Sequence, residues 1–285
     1  MAGSLKIIKN RIRSIGNTKK VTRALEMISV SKLNSANNFL PALRNYYAKL
    51  DAALNSFFGN AGKLSSPFLR EGNPGGKIVL CLITSDSGLC AAYNHNIIRV
   101  AEEFIGKCGK DKIQLVAVGK KGLTYFRKRD VLILDSYTEL RGRYAEETAG
   151  KLASSLIEVF AAGQASQIYV AYTHYKSAMV YIPTINKLLS LDIPLVEDMP
   201  CILEPDKDRV GEELIPKYLS ARTKLMLLEA FTCEHAARTI AMKTATDNAE
   251  ELLEQLILKR NKIRQATITQ DIMEVTSSCE ALKNA

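Results

Sequence analysis

Tryptophan is missing from this chain of 285 residues, and aromatic side chains make up only 7% of it. With so few large rings, a purely globular core would be thinly furnished. No apolar run approaches the roughly 18 residues that a membrane span needs. The basic start MAGSLKIIKNRIRS is followed by no apolar stretch of the secretory kind. The expectation is a soluble chain that meets a membrane only through a partner.

Histidine is also scarce. His95, His174 and His235 are scattered, and the Cys233-Glu234-His235 run lacks the i, i+4 spacing that places two metal ligands on one helical face. The six cysteines form no C-x-x-C pair and sit mostly among apolar residues, so reduced thiols acting as small hydrophobes are expected. GKKG at 119–122 is not a phosphate loop, because G-x-x-x-x-G-K-[ST] is incomplete. It reads as a strand-turn-helix junction. TSDSGLC at 84–90 holds Ser and Asp but not G-x-S-x-G, and reads as a polar turn after a strand. These gaps leave no catalytic, cofactor-binding or metal-ligating residue to assign.

Acid is nearly absent from the first 50 residues, where Glu26 stands against ten Lys and Arg. That segment therefore carries the whole net charge of +9. A basic helix of this kind can meet nucleic acid, an anionic membrane or an acidic protein surface. It has no aromatic residue before Phe39 for stacking on bases, so the nucleic-acid reading is weak.

Helical periodicity is plentiful. Leu5, Ile8, Ile12 and Ile15 are spaced three and four apart. The pattern resumes at Leu25, Ile28, Leu33, Ala36, Leu40, Leu43, Tyr47, Leu50, Leu54 and Phe57, with Thr18 and Thr22 in the gap. A seam of about 3.5 residues marks a coiled coil. Pro41 should kink or break it. Gly and Pro are missing from the last 69 residues, where Leu225, Leu228, Phe231, Ile240, Leu252, Leu256 and Ile263 make a discontinuous stripe. At 1.5 Å per residue, helices of these lengths reach roughly 80 Å and 90–100 Å. Each needs a cover for its stripe, and the economical cover is the other helix, antiparallel.

Between them the period changes. KIVLCLIT (77–84) is apolar throughout, as a strand buried on both faces should be. Helical spacing follows at 96–108, strands at 113–119 and 130–134 flank the short helix KKGLTYFRK, a helix spans 144–163, and QIYVAYT (167–173) is another strand. This alternation predicts a mostly parallel, Rossmann-like α/β sheet. The predicted division is an N-terminal coiled-coil helix over 1–58, a linker over 59–76, an α/β domain over 77–211 and a C-terminal coiled-coil helix over 212–285.

Four stretches taken together carry a resemblance: IRSIGNTKKVTRALEMISVSK, TSDSGLCAAYN, EHAARTIAMKTATDNAEEL and NKIRQATITQDIMEV. In order and spacing they resemble the gamma subunits of F-type ATP synthases, of the bacterial form, along the whole chain. The resemblance implies a central rotor shaft that couples proton or sodium flow to ATP synthesis or hydrolysis and catalyses nothing itself. It implies alpha and beta subunits of the catalytic hexamer, the epsilon subunit and the c-subunit ring as partners, and a place at the cytoplasmic face of the membrane. It marks Arg264 and Gln265, with Thr269 nearby, as contacts with an acidic loop of beta. It also marks Leu25 on the opposing helix, where many members have Met, and Glu204 as a residue of the foot facing the c ring. Ala91 and Ala92 stand where Gly-Gly is common, and Cys233 where Ser is usual. A coiled-coil adaptor with an α/β interaction domain is the alternative reading. Around Arg264 the stripe thins to Ala266, Thr267 and Thr269, which suits a surface that turns against changing partners rather than one locked by knobs-into-holes packing.

Overall fold

The computed structural model describes residues 2–61, 68, 75–191 and 206–283. They fall into two compact units, Met1–Ile28 with Thr239–Ala285, and Ser29–Arg238. Two long helices, α1 (Ala2–Ala61) and α5 (Lys207–Lys283), each contribute to both units.

The larger unit is built on five strands: β1 (Lys77–Ile83), β2 (Ile113–Val118), β3 (Leu132–Tyr137), β4 (Ala165–Tyr175) and β5 (Tyr181–Leu189). Their order is β3-β2-β1-β4-β5. The first four are parallel, joined through α2 (Tyr93–Cys108), α3 (Lys120–Arg127) and α4 (Glu146–Ala161). β5 is antiparallel to β4. β1 lies at the centre, and successive side chains of a strand point to opposite faces. Leu80 and Leu82 therefore pack with α2 and α3, among Ile97, Ala101 and Phe126. Val79, Cys81 and Ile83 pack the other way, with Leu152 and Leu156 of α4, Leu54 and Phe57 of α1, and Ile215 and Leu227 of α5. Both faces of β1 are buried, which is why its sequence is apolar without alternation.

β5 lies outside the elements expected from sequence. Pro183 interrupts its pattern, and proline is tolerated in a sheet at an edge, where its missing N–H faces away from the ladder. β3 is the opposite edge, and Leu132 is exposed there. It begins two residues later than 130–134.

The helices correct three readings. Pro41 neither breaks α1 nor ends it; it lies on the exposed side, where the carbonyl deprived of its N–H partner can turn to water. The seam also does not lapse between Ile15 and Leu33. It continues in strict three-four alternation through Lys19, Thr22, Glu26 and Ser29, all buried or half-buried, while Thr18 and Ile28 are exposed. In α5 the seam of the smaller unit is Met242, Thr246, Ala249, Leu253, Leu256, Arg260, Ile263 and Thr267. Ile240 and Leu252 are exposed instead. Thr22 meets Thr246, and Lys19 pairs with Glu250 at 2.6 Å, so α1 and α5 run antiparallel in this unit.

Candidate functional site

In a doubly wound sheet, ligands bind in the crevice beyond the carboxyl ends of the parallel strands. Here that edge consists of the 84–92 turn after β1, Gly119 after β2, the 138–145 loop after β3 and the turn after β4. α5 lies along it from Glu229 to Arg238. The Tyr93 hydroxyl donates to the Ala230 carbonyl at 2.9 Å, and Cys233 Sγ donates to the Thr173 carbonyl at 3.3 Å. Arg238 donates to Ser87 Oγ at 2.9 Å, to the Ser87 and Gly88 carbonyls and to Glu234 Oε1 at 2.8 Å. Burial pushes the Glu234 carboxyl upward, against the pull of Arg238.

The 138–145 loop is held from two sides. Asp86 accepts backbone N–H bonds from Lys120, Glu139 and Arg141 at 3.0, 3.1 and 2.6 Å. His235 Nε2 lies 2.8 Å from the Gly142 carbonyl, while Arg238 Nη1 faces Nδ1 at 3.4 Å. An arginine can only donate, so Nδ1 is the acceptor and Nε2 carries the proton. Burial lowers the His235 value to about 4, which keeps the ring neutral. Gly142 has φ +64°, and a Cβ there would stand 2.6 Å from His235 Nε2.

GKKG proves to be packing geometry. Gly119 has φ +91°, and a Cβ on it would lie 2.1 Å from the Thr84 carbonyl oxygen. The glycine lets β2 turn into α3 directly against the end of β1. The edge where such folds hold a phosphate is thus filled by the chain's own carboxylate, hydroxyl and guanidinium groups.

A second joint closes α1 on the sheet. Glu229, in the apolar run MLLEAF, is buried with a side chain only 3% exposed. Arg44 of α1 donates to its Oε1 from both Nε, at 3.0 Å, and Nη2, and also reaches the Tyr175 carbonyl. His174 Nδ1 lies 2.6 Å from Oε2. Neither Arg44 and Glu229 nor Asp86 and Arg238 stand among the residues expected from sequence. The visible signal was a lone acid inside an apolar helical run.

The expected contact residues lie elsewhere. Arg264, Gln265 and Thr269 are exposed on α5, together with Ala266, and Thr267 is half-buried. The Thr267 and Thr269 hydroxyls donate to the carbonyls four residues back, at Ile263 and Gln265. Leu25 is half-buried on α1. The Thr22–Thr246 register sets it opposite residue 243, about 30 Å along the pair from Arg264, so it is not brought together with the others. Glu204 lies outside the described residues.

The same register, extended one for one, sets the start of α1 opposite Ala266. Beyond it α5 is bare: every residue from Ile268 to Glu280 is exposed. Ile268, Ile272, Val275, Cys279 and Leu282 follow four-three spacing there and are all exposed, as is Met273. Ala266 and Thr267 stand at this point of the register, and an exposed apolar stripe starts one position later.

Among the described residues, no helix is long and apolar enough to cross a membrane, and no cluster of His, Cys, Asp and Glu could hold a metal ion. Cys81, Cys90 and Cys233 are free and buried, and burial pushes Cys81 up to about 12.

The family model described as ATP synthase matches residues 4–282. The ATP synthase gamma chain of Chlorobium luteolum is 34% identical and is covered, like this chain, to 99%. That of Moorella thermoacetica is 35% identical over 97% of this chain and 98% of its own. Among solved structures, a chain of the Euglena gracilis mitochondrial ATP synthase shares the fold with a TM-score of 0.72 at 16% identity, over 99% of this chain and 95% of that one. A chain of the Tetrahymena thermophila mitochondrial ATP synthase gives 0.59 at 21% identity, over 79% of this chain and 99% of that one. With identity of this order sustained from end to end, and with a helix pair clamped across the crevice of its own α/β sheet, the chain belongs to the ATP synthase gamma chain family.

Proposed function

We propose that this chain is the central rotor shaft of an F-type ATP synthase. It couples proton or sodium flow through the membrane sector to ATP synthesis or hydrolysis on the beta subunits. It performs no bond chemistry itself. Its partners are the alpha and beta subunits of the catalytic hexamer, the epsilon subunit and the c-subunit ring. It is a peripheral protein of the cytoplasmic membrane face, held there by the complex. In this division of labour, 1–58 and 212–285 form the coiled coil, 59–76 the linker and 77–211 the α/β domain that stands at the foot, where Glu204 faces the c ring.

The observation that carries the reading is the bare end of α5. Ile268, Ile272, Val275 and Leu282 form an exposed apolar stripe on heptad spacing, a face suited to packing against a partner. A collar of catalytic subunits supplies one. Arg264 and Gln265 lie just before this stripe and Thr269 beside its first residue, all three exposed. They act there as replaceable polar contacts with an acidic loop of beta. Exposed charge pairs are worth about 0–1 kcal/mol each, which suits contacts broken at every step. Leu25 is the apolar contact from the opposing helix.

The joints support the same reading. A shaft transmits torque only if its helices are fixed to the foot. Arg44–Glu229 and Arg238–Ser87 tie α1 and α5 to the sheet edge within the larger unit. Changing Arg264 and Gln265 together to Ala in the assembled complex tests the proposal. The expected result is normal assembly with ATP synthesis reduced relative to ATP hydrolysis. Normal synthesis together with normal assembly sinks the role given to these residues. Failure of the chain to co-purify with alpha and beta subunits sinks the rotor reading itself.

A further inference from the structure

Within the larger unit a cavity of about 350 Å³ opens between α1, the 142–144 segment and α5. Its lining includes the apolar side chains of Ala36, Phe39, Leu228 and Phe231. Leu228 and Phe231 are buried, whereas Phe39 stands 63% exposed at the mouth. Lys32, one turn before Ala36 on α1, and Arg143 add two cationic groups to the lining. Arg141 is exposed beside them. Lys32 spends one N–H on the Arg141 carbonyl at 2.7 Å, and the other two remain for a ligand. Among the described residues, no carboxylate lies within salt-bridge distance of Lys32, Arg141 or Arg143. The buried Glu234 nearby already faces Arg238. Positive charge therefore gathers at a mainly apolar hollow, with no paired carboxylate among the described residues.

We infer that this cavity is a binding site for a small amphipathic carboxylate, its head on Lys32 and Arg143 and its apolar body against Phe39, Leu228 and Phe231. The volume fits a body of roughly a dozen non-hydrogen atoms, at about 30 Å³ each. Most small-molecule sites combine a mainly apolar lining with a few convergent polar groups, as here. The Arg143 guanidinium can grip a carboxylate with two parallel N–H bonds, and the Lys32 ammonium adds a point charge. Such a ligand bridges α1, the 142–144 segment and α5. The assignment does not depend on the rotor reading, since it concerns binding to the chain itself.

The test uses the full chain and sodium octanoate below its micellar limit, followed by calorimetric titration. Expected is saturable binding at one site, with octanol, which lacks the charge, at least about tenfold weaker. Lys32→Gln/Arg143→Gln weakens octanoate by a similar factor, and Phe39→Ala, at an exposed position, weakens octanoate and octanol together. Circular dichroism checks that each variant keeps its helices; if the double variant does not, Phe39→Ala and the octanol comparison decide. Absence of saturation, or equal binding of octanoate and octanol, overturns the assignment. So does displacement of octanoate by a glutamate-rich peptide at lower concentration, which would make the hollow a socket for an acidic protein segment.

Discussion

Thr22 of α1 and Thr246 of α5 share a hydrogen bond of 2.8 Å between their hydroxyls, in a buried position on the seam of the smaller unit. Each hydroxyl also has a carbonyl of its own helix in reach, Lys19 for Thr22 and Met242 for Thr246. The pair is thus satisfied internally. Such a buried polar pair favours one register, because sliding either helix parts the two hydroxyls.

Changing Thr22 alone to Val should lower stability by about 1 kcal/mol, the usual worth of a buried hydrogen bond. Changing Thr246 as well should cost less than the sum of the two single changes, since the second removes a group already deprived of its partner. Urea unfolding of the four chains in a double-mutant cycle checks this. Strict additivity would show that the hydroxyls are not coupled.

Arg44 and Glu229 invite a different cycle. Arg44→Met leaves the Glu229 carboxylate in an apolar environment with only His174 beside it. The expected loss is about 2–3 kcal/mol, toward the lower end for a broken buried pair because Arg44 itself is partly exposed. Arg44→Met with Glu229→Leu should recover most of that loss, since no uncompensated charge remains. Equal stability of the single and double variants would mean that the carboxylate finds solvent without Arg44.

How far the chain could be read from sequence depended on whether a residue's chemistry followed its position. β1 was legible because Leu80 and Leu82 face one layer and Cys81 and Ile83 the other, so burial on both faces wrote itself as an apolar run. β5 was not, because Pro183, Asn186 and Lys187 belong to a half-exposed edge where no alternation is enforced. The seam of α1 kept its period through Lys19, Thr22, Glu26 and Ser29 after losing its oily chemistry there. Ile28 and Leu252 looked like seam residues because they are apolar, yet both are exposed. The joints were hidden for another reason. Glu229 could be seen as an odd acid in MLLEAF, but its partner Arg44 lies 185 residues away, and only the folded sheet brings them together. The candidate contacts Arg264, Gln265 and Thr269 rested on the family resemblance; periodicity showed only that the stripe thinned beside them.

His235 makes the stability of the larger unit depend on pH. Burial holds its folded value at about 4, against 6.5 for an unhindered imidazole. Between these values the unfolded chain binds the proton and the folded chain does not. Stability therefore rises with pH across this window, is fully present above about 6.5 and is lost as pH falls toward 4. The contribution amounts to about 3 kcal/mol. Glu234 works in the opposite sense: its raised value favours the folded state below the ordinary carboxylate range and loses that effect as pH rises. The difference between the native chain and His235→Gln isolates the histidine. Urea midpoints should climb from pH 4.5 to 7 in the native chain and climb less in the variant, whose amide can still donate to the Gly142 carbonyl. Parallel curves would place the pH dependence elsewhere.

The end of α5 should be stable only in company. From Ile268 to Glu280 every residue is exposed, and an isolated helix of this length is marginal in water. Intrahelical bonds such as Thr276 Oγ1 to the Ile272 carbonyl, and Gln270 to Glu274, add little by themselves. In the isolated chain, backbone amides at 272–283 should therefore exchange with solvent close to the unprotected rate, while those of Ala249, Leu253 and Leu256 on the seam remain strongly protected. In the assembled complex the same terminal amides should slow by orders of magnitude, because the stripe of Ile268, Ile272, Val275 and Leu282 then has a wall to pack against. Hydrogen exchange on the two preparations measures both states. Strong protection already in the isolated chain would mean that this stripe is covered by a second copy, and dilution would then speed the exchange. Protection unchanged by assembly would show that the bare end is not the surface on which the collar acts.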